Sequence, residues 1–300
     1  LEYPLFPLTG VDHFDQLVLR AGFNEQDNPF IRDEIHRRLS SDMGSIASHG
    51  TVAVVFINGV YYSSSPWYNP CERIHEEFLK EHIGGGDDWD VVGPSFASSS
   101  GLPGVVDGDR VDFQNLVSYV NNNPVTTTSV YTNIARWLDL TNFADYCILN
   151  AYGAMGDWPG NNWRAGKDRS QSGPWRFIVW DAEWGMGIYD RTVSINSFTL
   201  ANGGPTDSGL ASVASSEIAQ LYDRLRASPE FRLLWADRIP VLESKDEKGR
   251  LTRVTVVAGA LLAACGAFEL RVLSAGGLFP VLALTEESIM KAVCLLSGGL

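Results

Sequence analysis

Three observations predict an α+β fold in two unequal parts for this 300-residue chain. Strand-like runs and an Asn-Gly turn crowd its first part, and helical periodicity dominates from about residue 112 to 243. After Ser244 the text changes to Ala, Leu, Val and Gly, with no Trp or Tyr beyond Trp235. The expected division is a sheet-plus-helix part over residues 1–92, a mainly helical part over 93–243, and a tail of uncertain structure over 244–300.

The elements follow in order. QLVLRAG (Gln16–Gly22) reads as a short buried strand. Asn28–Gly44 reads as a helix: Asn28 can cap it, Pro29 suits its first turn, and Ile31, Ile35 and Leu39 form one apolar stripe. Thr51–Ser63 is a hairpin joined at Asn58-Gly59, and Cys71–Gly85 a helix stopped by glycines. GGGDDWD (Gly84–Asp90) reads as a turn into a strand, lacking the alternation of a Ca²⁺ loop. A polar Gly/Ser-rich connector, Gly93–Gly108, precedes helices over Asp112–Asn121 and Asn133–Gly153. Trp175–Asp181 is a strand ending on an acid, and Ser216–Glu243 is helical with a Ser-Pro break. In the tail, Val254–Phe268 runs fifteen residues without a charge, shorter than a membrane span.

The net charge of −13 argues against a nucleic-acid binder and fits a basic partner. The four cysteines (Cys71, Cys147, Cys265, Cys294) show no zinc-type spacing and indicate no disulfide framework. The five histidines are scattered and read as surface residues.

Chemistry concentrates in Asp157–Gly185, which holds Trp158, Trp163, Trp175, Trp180 and Trp184, five of the nine tryptophans. Asp157 and Asn162 lie five residues apart across a Pro-Gly turn, and Asp181 ends an apolar strand. Phosphoryl transfer uses such a set: one Asp takes the acceptor's proton, while an Asn and a second Asp hold Mg²⁺ on the ATP phosphates. The same stretch admits a glycoside hydrolase using Asp157, Asp181 or Glu183, with the tryptophans as a sugar platform. Yet Asp181 and Glu183 are too close in sequence to flank a glycosidic bond between them. The rings read chiefly as core and site walls.

VLRAG with FIRDEIHRRL, VVFINGVYYS, CERIHEEFL with DDWDVV, NFADYCILNAY running into DWPGNNW, and WRFIVWDAEWG occur in order over about residues 3–240. Together they resemble the spore coat protein H (CotH) kinase family. The resemblance implies an atypical protein-kinase-like fold with a small sheet-plus-helix N-lobe and a mainly helical C-lobe. It implies use of ATP with Mg²⁺ or Mn²⁺, and transfer to protein serine. By the same resemblance Asp157 is the catalytic acid, Asn162 and Asp181 are metal ligands, and Glu183 is an additional one. Arg20 stands where a kinase places its phosphate-pairing cation, with Asp33 or Glu34 as its acidic partner. Glu72, where the lobes would join, contacts the nucleotide or caps a helix through its backbone.

The chain departs from the kinase pattern in two ways. It lacks a DFG triplet, and no G-x-G-x-x-G precedes Arg20, as if a phosphate-covering strand pair were cut away or dispensed with. Family-like text also stops near Pro240. A non-catalytic kinase-like module and a different ATP chemistry, such as AMP transfer, remain alternatives. Relatives with this pattern permit an extracellular or cell-surface setting without fixing one, and the spore coat is not inherited from the name.

Composition generates a first prediction. Deleting Ser244–Leu300 should leave the thermal unfolding transition nearly unchanged; a large fall in melting temperature would place the tail in the core.

Overall fold

Apolar runs such as WDVV and RFIV have too few polar positions for a sheet with one wet face. They form strands covered on both sides. The computed structural model describes residues 2–6, 12–21, 31–62, 67–94, 104–170, 173–186, 197–198, 209–211 and 216–238, and the backbone of 271–274 and 277–280. The cap at Asn28-Pro29, the connector over 95–103, Val254–Phe268, Cys265 and Cys294 lie outside these residues.

The fold mixes helices with small antiparallel sheets. β1 (Leu17–Arg20) pairs with β4 (Asn69–Glu72), in a register that sets Arg20 opposite Asn69 and Leu17 opposite Glu72. Between them run α1 (Arg32–Asp42) and the hairpin β2 (Phe56–Ile57) and β3 (Val60–Tyr61). The hairpin turns where the sequence placed it: Asn58 and Gly59 both have positive φ, 52° and 79°, as a type I′ turn requires. The main sheet has the order β6-β5-β7-β8, formed by β5 (Trp89–Val92), β6 (Val105–Asp107), β7 (Trp163–Asp168) and β8 (Arg176–Val179). Its pairings are all antiparallel.

α2 (Glu76–Ile83) covers one face of this sheet: Phe78 and Leu79 join Ile74, Trp89, Val91, Val106 and Ile178 in one cluster. Phe177, the neighbour of Ile178, points to the other face. There it meets Phe113 of α3 (Val111–Asn122) at 6.1 Å, and Phe143 and Tyr146 of α5 (Leu140–Tyr152) at 5.2 and 5.3 Å. α4 (Thr128–Trp137), α6 (Glu217–Leu225) and α7 (Pro229–Arg238) complete the described helices. By contacts the chain divides into Leu1–Arg232 and Leu233–Leu300; in the latter, Arg271–Ser274 (β9) pairs with Gly277–Pro280 (β10). No described helix is long and apolar enough to cross a membrane.

Several expectations are corrected. β1 is not buried: Leu17 and Leu19 are exposed, and Arg20 is the residue turned inward. Cys71 and Glu72 belong to a strand, so the helix expected from Cys71 begins only at Glu76. The segment 133–153 holds the end of α4 and the whole of α5, because Asp139 leaves the helical path and caps the Asn142 N–H at 3.0 Å. α1 buries its polar side, Arg32, Asp33, His36, Arg37 and Ser40, while Ile31, Ile35 and Leu39 are only half-buried. Nor are the histidines all at the surface: His36 and His75 are buried, and burial pushes the His36 pKa down to about 4.

β8 is an edge strand, and its outward backbone groups need partners. Asn142 supplies them: its amide donates to the Phe177 carbonyl at 3.0 Å and its oxygen accepts the Phe177 N–H at 2.6 Å. Asn142→Leu keeps the volume but strands both groups. The expected loss is about 1–3 kcal/mol of stability, read from the urea midpoint; an unchanged midpoint would mean water replaces the amide there.

Candidate functional site

The polar face of α1 has a purpose in the packing. Asp33, buried in its first turn, lies 3.5 Å from both Arg20 Nε and Arg37 Nε, and its Oδ1 accepts the Ala182 N–H at 2.8 Å. Arg20 Nη2 in turn bonds Asp181 and Glu183. One guanidinium and one carboxylate thus join β1, α1 and the loop after β8. Burial works against the charge on Arg20, but Asp33, Asp181 and Glu183 outweigh it and hold its pKa well above the usual arginine value. Burial likewise disfavours ionised Asp33, and Arg37 and Arg20 more than offset it, so its pKa is lowered. Glu34, the other candidate partner of Arg20, pairs instead with Arg37 at 2.9 Å and Arg38 at 2.7 Å.

Arg20 and Arg164 both lie over the Trp180 ring, 5.2 and 4.9 Å from its centroid, within cation–π range. Burial lowers the Arg164 pKa to about 10, with Asp181 opposing the fall. Trp158, Trp163 and Trp175 are buried in the core and cannot form a sugar platform; Trp180 and Trp184 are half-buried.

Asp157 and Asn162 occupy the loop between α5 and β7. The loop is closed on itself, with the Asn161 N–H donating to the Asp157 carbonyl at 2.6 Å. Asn162 immediately precedes β7 and Asp181 follows β8 by two residues. Because Trp163 pairs with Val179, both leave the sheet at the same end. Two further hydrogen bonds stitch the loops together: Gly156 N–H to the Trp184 carbonyl at 2.6 Å, and Met186 N–H to the Gly153 carbonyl at 2.7 Å. Only glycine fits at two of these positions. A Cβ on Gly156 would stand 2.6 Å from the Trp184 ring, and one on Gly185 2.5 Å from Met155 Sδ and 2.9 Å from the Gly153 carbonyl.

Backbone strain collects in the same place. Six described non-glycine residues have positive φ, and one of them, Asn58, makes the hairpin turn. The other five are Ala154, Asp157 (57°), Asn162 (56°), Asp181 (60°) and Met186, all in the two stitched loops. Residues held in this region cost on the order of 1–3 kcal/mol each and gather where function fixes them. Asp157 Oδ1 is moreover buried and accepts no hydrogen bond from a described residue. A polar oxygen left so is destabilising unless a ligand completes it.

Of the residues singled out from sequence, Arg20, Asp33, Asp181 and Glu183 are in one direct network, and Asp157 and Asn162 share the adjoining loop. Glu72 sits elsewhere. It is buried on β4 opposite Leu17, with Oε1 3.0 Å from His82 Nε2 and Oε2 3.0 Å from His49 Nδ1. Burial would raise its pKa, but His49 and His82 hold it down to about 2. Sequence reasoning missed Arg37, Arg164 and this histidine pair. The first had a signal: Asp33, Arg37 and Ser40 recur at helical spacing, a polar stripe as regular as the apolar one.

The family model described as CotH kinase protein matches residues 6–243. The protein named Invasin CotH2 from Rhizopus delemar is 25% identical over 187 residues, which cover 55% of this chain and 31% of that protein's length. The family match takes in both stitched loops, β1 and α1, and by its extent the chain belongs to the CotH kinase protein family.

Proposed function

We propose that this chain is an ATP-dependent phosphotransferase with a two-lobed kinase-like build, acting on serine of a basic protein. The observation that carries the reading is the convergence at one sheet end. Asp157, Asn162 and Asp181, each at positive φ near 60°, lie on two loops stitched backbone to backbone, beside the half-buried Arg20. The donor set fits a hard divalent cation. Asp181 and Glu183, both against Arg20, and the Asn162 amide are the hard oxygen donors that Mg²⁺ or Mn²⁺ takes. When bound, that ion would neutralise the charge on the phosphates.

Each side chain then has a task. Asp181 and Asn162 hold the cation, with Glu183 as a further oxygen donor. Arg20, oriented by Asp33, pairs with phosphate oxygens. Asp157, whose Oδ1 lacks a donor among the described residues, accepts the proton of the incoming hydroxyl. Glu72 already has both oxygens engaged and is assigned no part in this chemistry. The hydrolase reading loses ground because Asp181 and Glu183 meet the same nitrogen of Arg20, leaving no room for a sugar bond between them.

The test is incubation with ATP, Mg²⁺ or Mn²⁺ and a basic serine-containing protein, in parallel with γ- and α-labelled nucleotide. Label from the γ position should reach protein; label from the α position alone would make the chemistry AMP transfer. Asp181→Ala should abolish metal-dependent ATP binding. Asp157→Ala should retain binding and lose on the order of 10²–10⁴ in transfer rate, the usual contribution of a positioned base. ATP binding by the parent with no transfer of either label to any acceptor would identify a binding module instead.

A further inference from the structure

Outside the loops just described, three side chains of metal-ligand type come together. His49, Glu72 and His82 place one ligand atom each so that all lie within 4.8 Å of one another. They come from three separate pieces of chain: the segment after α1, the strand β4 and the helix α2. Their side chains are 23%, 5% and 10% exposed, so the group is walled in but reachable through His49.

We propose that His49, Glu72 and His82 form a binding site for a transition-metal dication of the Zn²⁺ class. Two imidazoles and one carboxylate are the three-ligand set of open zinc sites, in which water takes the fourth position. Imidazole nitrogen suits Zn²⁺ and its neighbours, whereas Mg²⁺ takes oxygen ligands. The site is therefore chemically distinct from the carboxylate-rich end at Asp181.

The details support an ion more than a plain hydrogen-bonded clamp. His82 Nε2 bonds Oε1 of Glu72, but His49 Nδ1, 3.0 Å from Oε2, is off the line of a good hydrogen bond, and this buried nitrogen has no other among the described residues. Oε2 already accepts the backbone N–H of His49 at 2.7 Å, the kind of outer contact that orients a ligating carboxylate. Phe78 lies against His82 with ring centroids 4.3 Å apart, limiting that ring's rotation. Glu72 and Phe78 also line a surface pocket whose charged walls are Asp15, Arg73, Glu77 and Glu81. To ligate, a neutral imidazole moves its proton to the distal nitrogen through solvent with no net release, and a protonated one releases a proton.

Equilibrium dialysis of the chelator-stripped full chain against Zn²⁺ alone is the measurement. One Zn²⁺ per chain should be retained, and the melting temperature should rise with it. His49→Gln and His82→Ala should each weaken retention at least about 10-fold, the smallest effect expected from losing even an outer contact. If the more buried His82→Ala fails to fold, His49→Gln at the more exposed ring still decides. Replacing Zn²⁺ by Co²⁺ should give a four-coordinate visible spectrum without a thiolate charge-transfer band. No retained Zn²⁺, retention unchanged in the histidine variants, or a thiolate band would each overturn the site. None of these readings depends on phosphotransfer.

Discussion

The structure turns on one buried carboxylate. Asp33 has almost no contact with water, yet it touches Arg20 from β1, Arg37 from its own helix and the Ala182 N–H from the loop after β8. Removing it would strand the Ala182 N–H and leave Arg20 to Asp181 and Glu183, and Arg37 to Glu34, as their remaining carboxylate partners. Buried ion-pair networks replaced whole by well-packed apolar side chains are often neutral for stability. In the packing, the network sets Asp181 and Glu183 beside Arg20. The apolar work is done elsewhere, by α2 on one face of the main sheet and α3 with α5 on the other.

That separation explains what the sequence could tell. The hairpin at Asn58-Gly59, the helix around Val111–Asn122 and the strand before Asp181 carry their signals locally, and they appear where expected. β4 was illegible because Asn69-Pro70-Cys71-Glu72 resembles a helix start; Pro70 is tolerated since its carbonyl accepts the Thr51 N–H while it gives up only its own donor. β7, reading WRAGKD, shows no apolar alternation, because its neighbours β5 and β8 supply the large side chains and its Gly166 sits under Leu79. α1 was misread in face though not in place. Its apolar stripe was the louder pattern, but the buried partners waiting for it are charged.

The site was legible to a different degree at each residue. Asp157, Asn162 and Asp181 stand out in the sequence by type and spacing, and in the structure all three have positive φ in the two stitched loops. Asp and Asn tolerate positive φ better than other side-chain-bearing residues, so they are the types that can sit in such turns and still offer oxygen ligands. Residue type thus serves backbone and chemistry together. The histidine pair left no such trace. Positions 49, 72 and 82 have no spacing of their own, and only the bridging of the Gly50 segment to β4 and the placing of α2 bring them together.

β4 links these two polar centres. Asn69, opposite Arg20, accepts from Arg37 and so belongs to the Asp33 network. Glu72, three residues along the same strand, belongs to the histidine cluster. A strand of four residues is short and stiff, and its pairing with β1 fixes both ends in one register. Both centres therefore depend on one strand register: a slip of β4 by one residue would take Asn69 from Arg37 and Glu72 from His82 together.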